Sequence, residues 1–98
     1  MTNTAASTNT IPNFDAMTES ELMRFWAKHQ QGRGRNASAA LIGDRRKGYT
    51  VLAGDLAAYA CNKSVAMRAR TAGDMQLAES YEKACDQIYS NLPADLKW

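Results

Sequence analysis

Apolar side chains recur at helical spacing over most of the chain. Nowhere do four or more residues alternate apolar and polar between turn signals, so the pattern predicts an all-α domain without strands. A first helix is predicted over about 18–30, with Leu22, Phe25, Trp26 and His29 on one face. Its start is well marked. Thr18 with Glu21 makes a capping box, Met17 with Leu22 a hydrophobic staple, and Glu19 and Glu21 suit the positive end of the helix dipole. Gly32 and Gly34 end it. A short helix is predicted over about 36–42, stopped by Gly43, and a long third helix over about 50–72, with Thr50 as its cap. Gly73 suits the left-handed position past a helix end, and Asp74 caps a fourth helix over about 74–92. Pro93 blocks further extension.

The third and fourth helices are joined by one or two residues, so they must fold back as a long antiparallel hairpin. On the fourth helix Leu77, Tyr81, Cys85, Ile88 and Leu92 share a stripe. Counting equal distances from Gly73 sets them opposite Ala69, Val65, Cys61, Ala58 and Gly54. Large residues then face small ones, which is how close-packed helices fill space. The third helix carries a second stripe of Leu52, Leu56, Tyr59, Ala60, Ala66 and Met67. That stripe needs another partner, and the first helix supplies one. The fold class expected is all-α: a long antiparallel helical hairpin with an N-terminal helix and a short helix packed across it.

Residues 1–13 read as a flexible polar tail and 14–98 as a single helical domain; 98 residues leave no room for a second core. No run of 18 apolar residues exists to cross a bilayer. The first ten residues lack the basic start and apolar stretch of a secretory leader, so a cytoplasmic location is expected.

Charge changes the picture most. Residues 24–70 hold ten basic side chains (Arg24, Lys28, Arg33, Arg35, Arg45, Arg46, Lys47, Lys63, Arg68, Arg70) against Asp44 and Asp55, a net of +8. Acidic flanks on either side reduce the whole chain to +2. Two basic loops, GRGR and DRRKG, bracket the short helix. Lys28, Arg33, Arg35, Arg45, Arg46 and Lys47 are therefore the candidate phosphate contacts, because such patches attract polyanions whatever their sequence. Trp26 and Tyr49 lie close by in sequence and can stack on bases. The plainer reading is that the cations keep loops soluble and the aromatics fill the core.

Catalytic and metal chemistry find little to build on. His29 stands alone, and nothing in the spacing ties Ser38, Cys61 or Ser64 to it as a nucleophile. Glu82 and Asp86 share a face but lack the Glu-x-x-His companions of a di-metal bundle. No catalytic residue, metal or cofactor is expected, and the protein is not expected to be an enzyme. Cys61 and Cys85 leave two alternatives, a hairpin-pinning disulfide or two reduced thiols. Asn36 and Asn62 match glycosylation acceptors, a coincidence without a secretory leader. The stretch DLAAYACNKSVAMRAR has a helix-turn-helix flavour, but no breaker falls where the turn belongs. The helix pair also loosely resembles one tetratricopeptide unit, with no second copy to make an array.

Gly48-Tyr49, Asp55-Leu56, Tyr59-Ala60, Asn62-Lys63, Ala66-Met67, Tyr81-Glu82, Cys85-Asp86, Ile88-Tyr89, Leu92-Pro93 and Trp98 together resemble an uncharacterised family of small all-helical phage and prophage-type proteins, over most of residues 22–98. The resemblance implies an accessory protein of phage or marine-bacterial origin and transfers no catalytic residues. Two functions follow as expectations: nucleic-acid binding through the basic middle, or a protein–protein adaptor or homodimer without nucleic acid. Leu96 and Trp98 would support the adaptor if they dock on a neighbouring chain.

Overall fold

The computed structural model describes residues 11–30, 35–43 and 47–98. A 3-10 turn at Phe14–Ala16 leads into helix α1 (Glu19–His29). Helices α2 (Arg35–Ile42), α3 (Tyr49–Thr71) and α4 (Met75–Asn91) follow, and a second 3-10 turn spans Ala94–Leu96. Among the described residues there is no strand.

Several helix boundaries have a local cause. Thr18 Oγ1 accepts from the Glu21 amide at 3.2 Å, and Glu21 returns the bond to the Thr18 amide at 2.8 Å, closing the expected capping box. At the hairpin turn, Gly73 sits at φ +84°. Its amide bonds Arg70 O at 3.1 Å and the Asp74 amide bonds Ala69 O at 2.9 Å, which together make a Schellman closure of α3. Asp74 then starts α4 by accepting from the Leu77 amide at 3.1 Å. The cap of α3 differs from expectation: it is Gly48, left-handed at φ +73°, rather than Thr50. A glycine that reaches this conformation without strain ends the preceding turn, so α3 begins at Tyr49.

α3 is the centre of the domain, packed against α1, α2 and α4, while α1 and α2 touch each other only lightly. Its buried residues are mostly small: Ala53, Ala57, Ala60, Ser64, Ala66 and Ala69 surround Leu56 and Tyr59. They lie all round the helix, as expected of an element covered on several sides. α1 runs antiparallel to α3. Glu19 pairs with Arg68 at 2.8 Å, and a turn further on Met23 Sδ lies 2.9 Å from Ser64 Oγ. The Ser64 hydroxyl donates to Cys61 O at 2.8 Å.

The antiparallel hairpin of α3 and α4 is as expected, and Tyr59 of the second α3 stripe also meets α4, through the Cys85 thiol. Tyr59 and Ala66 are buried, whereas Gly54, Ala58, Cys61 and Val65 are half-buried. Cys85 Sγ points to the Tyr59 carbonyl at 3.7 Å, and both cysteines are free thiols. Packing on three partners leaves buried residues in both stripes of α3.

The expected tail falls mostly outside the described residues, but its last three belong to the domain. Ile11 packs on the core, and Asn13 Oδ1 accepts from the Asp15 amide at 3.0 Å to start the first 3-10 turn. That turn drives Phe14 into the core, where it is completely buried against the cluster of Leu22, Leu56, Tyr59, Ala60, Cys85 and Leu92. At the other end Pro93 terminates α4, and the chain turns back so that Leu96 is buried and Trp98 packs on the same cluster.

Candidate functional site

The described members of the basic set lie where α1 ends and α3 begins. Lys28 is exposed in the last turn of α1, and Lys47 is exposed immediately before Gly48. Arg33, Arg45 and Arg46 lie outside the described residues. Arg35 opens α2, and its side chain is likewise outside the description. Tyr49 is half-buried at the first position of α3. Trp26 is also half-buried and packs against the core cluster, so part of its ring is committed to the fold.

Three other cations of the basic middle, Lys63, Arg68 and Arg70, are spent on the acidic flanks. Lys63 Nζ lies 3.2 Å from Asp15 Oδ1, and Arg68 Nε lies 2.8 Å from Glu19 Oε1. Arg70 grips Glu82 with two bonds, at 2.7 and 3.0 Å. Hydrogen bonding to Arg70 holds the Glu82 carboxyl below its ordinary range. No ion pair between described residues engages Lys28 or Lys47. Folding therefore neutralises one part of the basic segment and leaves another part charged.

A second constellation escaped the sequence reading. Asp15 joins the first 3-10 turn, α3 and the C-terminal segment. Its Oδ1 accepts from the Tyr59 hydroxyl at 3.0 Å, and its Oδ2 accepts from Trp98 Nε1 at 3.0 Å. Burial pushes its carboxyl up, but the bonds from Trp98, Lys63 and Tyr59 outweigh that and hold it below the ordinary value. Burial first, then the bond to Asp15, pushes the Tyr59 phenol far above its usual range, so it stays a protonated donor. The Trp98 ring meets Phe14, Tyr59 and Tyr89 edge-on, at centroid distances of 4.7, 4.6 and 4.7 Å. The Tyr89 hydroxyl donates to Trp98 O at 2.7 Å. Leu96 and Trp98 thus dock within their own chain. The one sequence signal for this junction was a large aromatic, Phe14, set between Pro12-Asn13 and a helix cap.

His29 is 8% exposed, and its ring lies 4.4 Å from that of Phe25. Its Nδ1 is buried without a hydrogen-bond partner. Burial first, and the adjacent Lys28 charge second, hold the imidazole below its ordinary value, so it is neutral at pH 7. Among the described residues no hydrogen bond joins it to Cys61 or Ser64. Among the described residues no group of three or more His, Cys, Asp or Glu side chains could hold a metal ion.

No family model matches the chain, and neither a curated protein nor a solved structure matches it. Among the described residues, no helix is long and apolar enough to cross a membrane. The α3 helix runs unbroken through the stretch with a helix-turn-helix flavour, so that stretch contains no turn between two helices.

Proposed function

We propose that the protein is a non-enzymatic helical accessory protein, of phage or marine-bacterial type, that binds nucleic acid through phosphate contacts from its basic central region. The observation that carries this reading is the sorting of charge by the fold. Lys63, Arg68 and Arg70 are consumed in ion pairs with Asp15, Glu19 and Glu82. Lys28 and Lys47, which flank the short helix together with Arg33, Arg35, Arg45 and Arg46, stay outside the ion pairs formed among described residues. Cations left unneutralised on either side of one short helix suit a partner with regularly spaced negative charge. The half-buried setting of Trp26 and Tyr49 makes phosphate contact the main term and base stacking a lesser one.

The test is anisotropy of labelled single- and double-stranded oligonucleotides over a salt series. With about four phosphate contacts on duplex DNA, log affinity against log salt should slope near −3.6. Replacing Arg33, Arg35, Arg45 and Arg46 by Ala should flatten that slope and weaken all sequences alike, since phosphate contacts position a protein without reading bases. Absence of binding at low salt by demonstrably folded protein would refute the reading and favour the adaptor or homodimer. A strong base preference would also count against it.

A further inference from the structure

The seat of Trp98 is built mostly by residues remote from it in sequence. Phe14, Tyr59 and Tyr89 meet its ring edge-on. Asp15 Oδ2 accepts from its indole N–H at 3.0 Å, and the Tyr89 hydroxyl donates to its carbonyl at 2.7 Å. The seat therefore reads three features of one residue: a flat ring, an indole donor and a backbone acceptor. A single hinge ties this strap, residues 93–98, to α4. Leu92 and Pro93 are extended, with ψ 146° and 148°, and no side chain caps the turn that follows. Ala94 and Asp95 are exposed. The strap's own bonds, from the Leu96 amide to Pro93 O at 3.0 Å and from the Lys97 amide to Ala94 O at 3.2 Å, are local and travel with it. In place the strap doubles back, so that Trp98 meets Tyr89, a residue that precedes the hinge. Straightened, its six residues would reach ~20 Å past the end of α4.

We propose that the seat takes the strap of a second copy of this chain in place of its own. The product is a strap-exchanged dimer in which each chain supplies Trp98 to the other's Phe14, Asp15, Tyr59 and Tyr89. The second copy is the occupant because its strap is the one segment shown to satisfy the seat. The indole bond to Asp15, the edge-on rings and the Lys97 amine 5.3 Å from the Tyr89 ring centre are all remade across chains, with no new contact required. Exchange of an identical element between protomers is a low-cost route to a closed two-fold dimer. Pro93 sets the balance between the two forms. Its ring stops α4 and turns the strap back on its own helix. Alanine at that position would let the helix run on through Ala94–Leu96, carrying Trp98 away from its own seat and within reach of a neighbour's. None of the basic-loop residues takes part, so the exchange stands or falls independently of nucleic-acid binding.

The experiment refolds equal amounts of carbon-13-labelled and unlabelled full chain together from urea, so that straps can exchange before they are seated. Sedimentation equilibrium up to millimolar concentration then gives the mass, and isotope-filtered NOE spectra report contacts that cross from one chain to the other. Dimer should appear with rising concentration, with cross-chain contacts from the Trp98 ring to Phe14 and Tyr59. Pro93→Ala should reach half-dimer at a concentration about tenfold lower or less, whereas Ser90→Ala, at an exposed position of α4, should leave it unchanged. Trp98→Ala should abolish the dimer. Three results would overturn the proposal: a native chain that stays monomeric to millimolar concentration, a dimer without cross-chain contacts at Trp98, or a Trp98→Ala protein that is folded by circular dichroism and dimerises as well as the parent.

Discussion

Replacing Phe14 should cost more stability than replacing any other side chain in the N-terminal segment. Phe14 is 0% exposed, and its ring lies 4.8 Å from Phe25, 5.7 Å from Tyr59 and 4.7 Å from Trp98. Truncation of a fully buried Phe to Ala costs about 3–5 kcal/mol, transfer and cavity terms together. A domain of this length holds only about 5–15 kcal/mol in all, so Phe14→Ala would leave it marginal at best. Phe14→Leu is the more informative change. It removes roughly three carbons at about 0.8 kcal/mol each at most, and leaves part of the volume filled, so about 2 kcal/mol is expected. The assay is urea unfolding followed by far-UV circular dichroism, with an unchanged m-value as the condition for reading a stability change. The melting temperature should fall by about 8–16 °C on the same scale. A double-mutant cycle with Trp98→Leu isolates the ring contact, for which a coupling of about 0.5–1.5 kcal/mol is expected. If Phe14→Leu changes stability by less than about 0.5 kcal/mol, it behaves as a surface substitution and the N-terminal turn is not part of the core. Full additivity in the cycle would refute the Phe14–Trp98 contact itself.

The two glycines of the hairpin should respond in opposite directions. Gly73→Ala forces a side chain into φ +84° and should destabilise by about 1–2 kcal/mol, whereas Gly54→Ala, inside α3 with nothing within 4 Å of an added Cβ, should stabilise by up to about 1 kcal/mol; both are read from urea midpoints. The neutral, depressed His29 contributes stability that is present above its unfolded value near 6.5 and is lost as pH falls through its lower folded value. A pH series of melting temperatures should therefore decline below about pH 6.5, and His29→Leu should remove that decline. The Asp15 carboxyl, also held below its ordinary value of 3.8, should show the same sign at lower pH. Its share is present above the ordinary value and lost as pH falls through the folded one, and Asp15→Asn should blunt that acid limb.

Much of the architecture was legible because its causes are local. The Thr18–Glu21 capping box, the Gly73-Asp74 turn and the Pro93 stop each act within a few residues, and each boundary derived from them falls within about two residues of the structure. The cap of α3 was misread because Thr50 is the better side-chain cap, while the backbone need at Gly48 becomes visible only once the preceding turn is built. Periodicity says which residues share a face and not which neighbour covers it, and α3 has partners on three sides. Phe14, Asp15 and Trp98 were invisible as a group. Phe14 and Asp15 stand 83 or more residues from Trp98, in short turns too brief for any period, and only tertiary closure brings them together. The basic set was legible as charge, since charge needs no geometry to be counted. Its division into paired and unpaired cations required the fold.

The bond from Trp98 Nε1 to Asp15 Oδ2 spans 83 residues of chain. Closing a loop of that length costs ~4 kcal/mol of chain entropy by the logarithmic rule, against ~1.4 kcal/mol for the five-residue closure between Asp74 and Ala69 at the hairpin turn. Assembly should therefore begin at the α3–α4 hairpin and finish at the Asp15–Trp98 junction. Opening should follow the reverse order, with the junction parting before the hairpin unzips. In hydrogen-exchange terms, the amides of Phe14–Ala16 and Ala94–Leu96 belong to the first cooperative unit to be released, and those at the middle of α3 to the last. The residues that seal the aromatic cluster thus form its most readily opened door. Trp98 can leave Tyr59 and Tyr89 uncovered while the helices beneath them stay folded.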